Sequence, residues 1–270
     1  MAPRGAPGGK PGGASGGRSG RNRRSGLTVE GRRPVIEALR SEVTVQRILL
    51  LEELERGPQI EEIIRLARAA EIPIEPTRKK DLDRASATRK HQGVIALTPD
   101  PKYVPLDKLL IDAGQGPAAP LIAVLDGIED PQNLGAIART VDGAGGHGLV
   151  IPERRAAGIT PGAIRASAGA LEHVPVARVV NLGRAIEEIK AAGVWTVGLD
   201  SDADQDHTQI DLTGPTAIVI GSESSGLSRL VREKCDLLAS IPLLGKLESL
   251  NASVSAAIAL YEAVRQRRIT

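Results

Sequence analysis

With 270 residues, 41% hydrophobic and 25% charged, the chain is long enough for one or two globular domains with a substantial core. Phe is absent and only one Trp and two Tyr occur, so Val, Ile, Leu and Ala must build that core, and base stacking on aromatic platforms is disfavoured as a main mode of nucleic-acid binding. Net charge is +2, and a single cysteine, Cys235, excludes an intramolecular disulfide and any Cys-cluster zinc site.

Residues 1–26 carry Arg4, Lys10, Arg18, Arg21, Arg23 and Arg24 and no acid, which takes the net +2 to −4 over residues 27–270. This Gly/Arg-rich stretch has too little apolar surface to order itself and reads as a disordered basic arm for nucleic-acid phosphates, although a solubility tail would have the same composition. It lacks the apolar segment of a secretory signal, and no stretch of the chain approaches transmembrane length, so a cytoplasmic protein with no membrane partner is expected.

Residues 27–98 alternate helix and strand patterns: VEGRRPVIEALRS, VQRILLLEE, PQIEEIIRLARAAE, IPIEPT, KKDLDRAS and GVIAL. They predict a small α/β domain, and its basic residues, including Arg78, Lys79, Lys80, Arg84, Arg89 and Lys90, could face RNA or simply form a solvated surface. Residues 99–119 are rich in Pro and Gly and read as a linker with one helical turn. From residue 120 to 270 a second α/β pattern places strands near LIAVLDG, GLVIP, VPVARVV, GVWTVGLD, TAIVIGSE and ASIPL, with helices between most of them. Short apolar strands separated by helices predict a mostly parallel sheet covered on both faces.

Three segments of this second unit carry chemistry. In LDGIEDPQNLGAIARTVDGAGG the strand ends at Asp126, Pro131 sets a turn, and Asn133 can cap a helix on which Arg139 lies six residues later. Asn133 at a positive helix end could hold a ribose or phosphate oxygen and Arg139 could clamp a phosphate, but an N-cap and a surface arginine would look the same. In AIVIGSESSG a buried strand ends at Gly221, and Gly226 closes a turn holding Ser222, Glu223, Ser224 and Ser225. In SIPLLGKLESLNAS a short strand ends at SIP, and Ser249 or Asn251 can cap the last helix. Two such loops in tandem could present several main-chain groups to one ligand. The run GAGGHG (Gly143 to Gly148) matches a dinucleotide fingerprint, but it ends a helix and leads into a strand, so helix termination is the better account. Four histidines show no metal-ligand spacing, and no metal is expected.

Taken together, DGIEDPQNLGAIART, IGSESSGL and IPL followed by SLNASVSAA resemble the three motifs of the SpoU (TrmH-like) RNA ribose 2′-O-methyltransferases of the SPOUT superfamily. RRAAGITPGAIRASAGALEHVPVARVVNL and VEGRRPVIEAL are similar to the RlmB-type subgroup, which acts on a guanosine of 23S rRNA. The resemblance implies a trefoil-knotted α/β catalytic domain that binds S-adenosylmethionine, preceded by a ribosomal-protein-like RNA-binding domain. It further implies a catalytic constellation of Asn133, Arg139, Glu223 and Asn251, cofactor contacts by Gly221, Ile241 and Leu250 with Ser222, Pro242 and Ser253 beside them, and a homodimer whose sites draw on both subunits. Where relatives follow Arg-Thr with Ala and an aromatic-containing stretch, this chain has VDGAGG, and Arg165 stands where a lysine is common. The alternatives are methylation of tRNA or another rRNA site, or a non-catalytic RNA-binding or ribosome-assembly protein. A dinucleotide-dependent oxidoreductase would rest on GAGGHG alone.

Overall fold

The structure is a computed structural model that describes residues 27–269 apart from 42 and 56; the basic arm 1–26 lies outside the described residues. Chain order begins β1 (Thr28–Glu30), α1 (Arg32–Arg40), β2 (Arg47–Leu51), α2 (Pro58–Ala69), β3 (Ile74–Thr77), α3 (Lys79–Ala85) and β4 (Val94–Leu97). These strands form a four-stranded sheet ordered β1-β4-β2-β3 in which β4 runs antiparallel to β1 and β2, while β2 and β3 are parallel. Successive residues of a strand point to opposite faces, and here both faces are covered. Val94 and Ala96 join the core made with α1 and α2, whereas Ile95 and Leu97 pack with Leu82 of α3.

The second unit continues with α4 (Leu106–Gly114), β5 (Leu121–Leu125), α5 (Pro131–Gly143), β6 (Gly148–Pro152), α6 (Pro161–Ala166), β7 (Val176–Val179) and α7 (Leu182–Ala191). It ends with β8 (Trp195–Leu199), β9 (Thr216–Ile220), α8 (Arg229–Lys234), β10 (Leu237–Ala239) and α9 (Ala252–Arg267). Its six strands are all parallel, in the order β10-β8-β9-β5-β6-β7. The expected parallel sheet with two covered faces is present. Leu121, Ala123 and Leu125 of β5 and Ile218 and Ile220 of β9 pack with α5 and α9, while Ile122, Val124, Ala217 and Val219 face α4, α7 and α8.

Two sequence expectations are corrected. The stretch read as a linker with one turn contains the nine-residue helix α4, because Leu106, Leu109 and Ala113 share one face and are buried; Leu106 and Leu109 join the second core. The strand expected near ASIPL lies earlier, at Leu237–Ala239, where its register is set by pairing with Val197–Leu199. The Asp236 carboxylate reinforces that register by accepting hydrogen bonds from the Thr196 N–H at 2.9 Å and hydroxyl at 2.8 Å. Ser240, Ile241 and Pro242 are thereby released into the loop that precedes α9.

Helix α9 is fastened at the opposite end of the sheet by Arg267. Its guanidinium donates to the carbonyls of Leu212 at 3.0 Å, Ala119 at 2.7 Å, Pro120 at 3.0 Å and Gly214 at 2.6 Å. Burial pushes its pKa down, and the four carbonyls compensate the desolvated charge. The two sheets meet where Ile164 of α6 packs against the first core and Arg165 pairs with Glu37 at 2.7 Å. Cys235 is a half-buried thiol whose pKa is pushed up to about 12, first by burial and then by the Asp236 charge, which disfavours the thiolate.

Candidate active site

The chain leaves β5 toward β6 on one side of the sheet and leaves β9 toward β10 on the other, so the carboxyl ends of these adjacent strands open a crevice between diverging loops. Such a switch point is where open parallel sheets hold ligands. Asp126 follows β5 and Gly221 follows β9, and the Asp126 carboxylate accepts the Ser228 N–H at 2.7 Å, tying the two loops together.

The loop after β9 is closed by reciprocal main-chain hydrogen bonds between Ser222 and Gly226 at 3.0 and 2.9 Å, with the Ser222 and Ser225 hydroxyls 2.7 Å apart inside it. The chain folds back so tightly that a Cβ on Gly221 would overlap the main chain of Gly226 and Leu227, which is why glycine stands there. Gly226 turns the chain at φ 62°.

Glu223 projects from this loop into a polar cluster. Its Oε1 accepts from Asn133 Nδ2 at 2.9 Å, from Asn251 Nδ2 and from the Ala252 N–H at 3.2 Å, while Asn251 Nδ2 also reaches Asn133 Oδ1 at 2.9 Å. Three of the four residues expected to form the catalytic constellation are thus brought together from three separate segments: the first turn of α5, the loop after β9 and the start of α9. Asn251 is the N-cap of α9, its Oδ1 accepting from the Ser253 N–H at 3.0 Å and the Val254 N–H at 3.4 Å, so α9 orients the amide toward Glu223.

Asn133 differs from its expected role as a cap. Asp130 caps α5 by accepting the Gln132 N–H at 2.9 Å, and Pro131 fills the first helical position. Asn133 therefore lies inside the first turn, with its side chain free to join Glu223 and Asn251. Arg139 is not in the cluster: it is exposed on α5 and forms no ion pair or side-chain hydrogen bond among the described residues.

A cavity of about 480 Å³ lies against one side of the Ser222–Gly226 loop. Of the residues expected to contact the cofactor, Gly221, Ser222, Ile241 and Leu250 line this cavity, and Pro242 and Ser253 do not. Pro242 is exposed, and Ser253 spends its N–H and hydroxyl on Asn251 Oδ1 at 3.0 and 2.5 Å. Sequence reasoning missed Asp200, Asp202 and Glu248 in the same lining. The available signal was that Asp200 directly follows β8, whose carboxyl end neighbours that of β9. Asp200 is paired with Arg232 at 2.6 Å. Apolar walls, main chain at Gly221 and several carboxylates suit a small ligand with a flat ring and a cationic part. Among the described residues no metal-binding group of His, Cys, Asp and Glu occurs, and no helix is long and apolar enough to cross a membrane.

A second polar feature lies on the first sheet. Glu30 accepts from the Ser86 hydroxyl at 2.6 Å, the Ala87 N–H at 2.5 Å and the Thr88 N–H and hydroxyl at 3.2 and 2.5 Å. Burial raises this carboxyl, but those donors outweigh it and bring its pKa down to about 2. The pinned loop turns through Arg89 at φ 58° and borders a shallow concavity lined by Lys79, Lys80, Arg84 and Arg89. The expected basic face is thus partly concentrated in one place; Arg47 is instead engaged by Glu75 at 3.0 Å.

Comparison with known proteins agrees with this geometry. Residues 120–261 match the SpoU rRNA Methylase family, and residues 28–104 match the domain described as RNA 2′-O ribose methyltransferase substrate binding. A Bacillus subtilis protein that carries a TrmH family tRNA/rRNA methyltransferase name, YacO, is 45% identical over 88% of this chain and 95% of its own length. An uncharacterized tRNA/rRNA methyltransferase of Mycolicibacterium smegmatis is 45% identical over 89% of this chain and 76% of its own. The crystal structure of the SpoU methyltransferase AviRb from Streptomyces viridochromogenes, in complex with the cofactor AdoMet, superposes with a TM-score of 0.62 at 31% identity, covering 94% of this chain and 96% of that one. An AdoMet-bound rRNA methyltransferase from Sinorhizobium meliloti gives a TM-score of 0.59 at 27% identity over 88% and 87% of the two chains. With its glycine-backed cavity, its Asn133–Glu223–Asn251 cluster and a substrate-binding domain ahead of them, this chain belongs to the SpoU RNA ribose methyltransferase family.

Proposed function

We propose that this chain transfers the methyl group of S-adenosylmethionine to a ribose 2′-hydroxyl of RNA, that the target is a guanosine of 23S rRNA, and that a homodimer carries out the reaction. The observation that carries the reading is the convergence of Asn133, Glu223 and Asn251 beside a cavity backed by the main chain of Gly221. The residues present fit the cofactor. Leu199, Ile241 and Leu250 offer apolar wall for an adenine ring, and the close backbone turn at Gly221 leaves main-chain groups for its polar edge. Asp202, Glu223 and Glu248 add negative charge to the lining, which would suit a cofactor that carries a sulfonium and an amino group.

When bound, S-adenosylmethionine supplies an already activated methyl group, so the protein's task is placement of the ribose oxygen and removal of its proton. Positioning of two reactants alone supplies about 7–11 kcal/mol at best. Glu223 Oε1 is saturated by Asn133, Asn251 and Ala252, which leaves Oε2 to accept the hydrogen bond of a ribose hydroxyl. A guanidinium is a poor proton acceptor, so Arg139 serves not as a base but as a holder of an RNA phosphate, which favours ionisation of the neighbouring hydroxyl and lets its proton leave to phosphate or water.

Leu244 is 99% exposed and Leu247 76%, and Val254 and Tyr261 of α9 add further exposed apolar surface. The exposure of these apolar residues supports a dimer that would bury them, and such a dimer would let one copy's Arg139 serve its partner's site. Labelled-methyl transfer should be run on unmodified 23S rRNA and on unmodified tRNA side by side. Label as 2′-O-methylguanosine in 23S rRNA is the expected result, and label confined to tRNA would overturn the target.

A further inference from the structure

The Ser222–Gly226 loop has a second side. There it borders another cavity, about 560 Å³, whose other walls are the β5–α5 loop from Asp126 to Asp130, Asn133, and the loop after β6 that carries Arg154 and Arg155. Three of the six charged side chains that line this cavity are already engaged. Asp126 accepts the Ser228 N–H, Asp130 caps α5, and Glu223 is held by the two asparagines. Arg154, Arg155 and Glu129 form no ion pair or side-chain hydrogen bond among the described residues.

Two adjacent side chains in an extended segment point to opposite faces. Arg154 and Arg155 nonetheless line one cavity, because Arg155 takes the left-handed conformation at φ 55°, unusual for a side chain of its size. The loop is latched in place by the Ala157 N–H on the Ile128 carbonyl at 2.7 Å. The cavity is therefore polarised, with two open guanidiniums on the β6 side and carboxylates on the β5 and β9 side. A nucleotide matches that polarity: its phosphate suits the guanidiniums, and its ribose hydroxyl donates to the open oxygen of Glu223.

We propose that Arg154 and Arg155 hold the RNA phosphate adjoining the ribose to be methylated, across the Ser222–Gly226 loop from the methyl donor. This rests on the methyltransferase reading above and adds a residue pair distinct from Arg139, which lies outside the cavity lining. Guanidinium forks bind phosphate oxygens in pairs, and phosphate contacts set both the strength and the salt dependence of RNA binding. Glu129, the open carboxylate of this cavity, repels an anion seated anywhere but beside the arginines.

The test is RNA binding across a salt series by the full chain, as Arg154→Gln, Arg155→Gln, the double variant and Glu129→Gln, with S-adenosylmethionine titration on each. The double variant should bind RNA about tenfold or more weakly, with the slope of log affinity against log salt reduced by about 0.7 per arginine, while cofactor affinity stays within about twofold. Arg155→Lys should restore most of the slope. Glu129→Gln should bind RNA more tightly. Unchanged RNA affinity and slope in a double variant that still binds cofactor would overturn the proposal, and so would weakened RNA binding by Glu129→Gln, which would mean that the cavity reads a base. Failure of the unsubstituted chain to transfer methyl to any RNA would defeat the parent reading instead, because the binding slopes are read without transfer.

Discussion

Two glycine-rich loops sit at opposite ends of the parallel sheet and serve different ends. Gly143–Gly148 enters β6 at its amino end, whereas Gly221–Gly226 leaves β9 at its carboxyl end. In the first, Gly145 turns at φ 64°, the Gly146 N–H returns to the Val141 carbonyl at 2.7 Å, and His147 and Leu121 bond reciprocally, the His147 N–H to the Leu121 carbonyl at 2.7 Å and the Leu121 N–H to Nδ1 at 3.1 Å. The main-chain N–H groups of Ala144, Gly145, Gly146 and His147 are all spent inside the fold, and none of these residues lines either cavity beside the Ser222–Gly226 loop. In the second, the glycines free main chain and a carboxylate for something outside the fold. Position on the strand, not glycine content, separates a ligand loop from a structural turn.

The comparison breaks if the two loops respond alike to substitution. The largest effect is expected for Gly221→Val: a side chain there collides with Gly226 and Leu227, so methyl transfer should fall at least about 100-fold in a single-turnover assay. Glu223→Gln keeps the size of the side chain but exchanges an acceptor for a donor facing two amides, and should lower transfer by about 100-fold while leaving the melting temperature nearly unchanged. At the other loop, Gly145→Ala places a Cβ in open space but at a positive φ. It should cost about 1–2 kcal/mol in thermal unfolding and leave transfer untouched at permissive temperature.

The smallest effect concerns pH. Burial first, and then the Arg267 charge, hold the His147 pKa below 6.5, so the neutral ring is the one the fold requires. Between that lowered value and 6.5 the unfolded chain binds the proton more readily than the folded one. The stabilisation is therefore complete above pH 6.5 and declines as pH falls below it. His147→Gln should flatten the melting temperature against pH in that window, while transfer at pH 8 persists.

Much of this contrast was legible before any coordinates, because AIVI followed by Gly221 and LIAVL followed by Asp126 are strong strand-end signals and GAGGHG stands at the wrong end of a strand. The role of Asn133 was harder to read. A polar residue near a helix start looks like a cap, and only the Asp130–Pro131 pair, which takes that role two and three residues earlier, frees Asn133 for Glu223. Helix α4 was hidden by flanking Pro and Gly although Leu106, Leu109 and Ala113 carry the helical spacing. Asp200, Asp202 and Glu248 read as ordinary surface acids, since nothing local to them shows that the carboxyl ends of β8 and β9 lie side by side. The parting of Arg139 from Asn133 was legible, since residues six apart on one helix need not share a face.

The most direct test of the account is calorimetric titration of S-adenosylmethionine into the unsubstituted protein, Gly221→Val and Gly145→Ala under identical conditions. The account predicts equal affinity for the unsubstituted protein and Gly145→Ala, and no measurable binding to a folded Gly221→Val. Retained binding by Gly221→Val, or an equal loss in both variants, would contradict it.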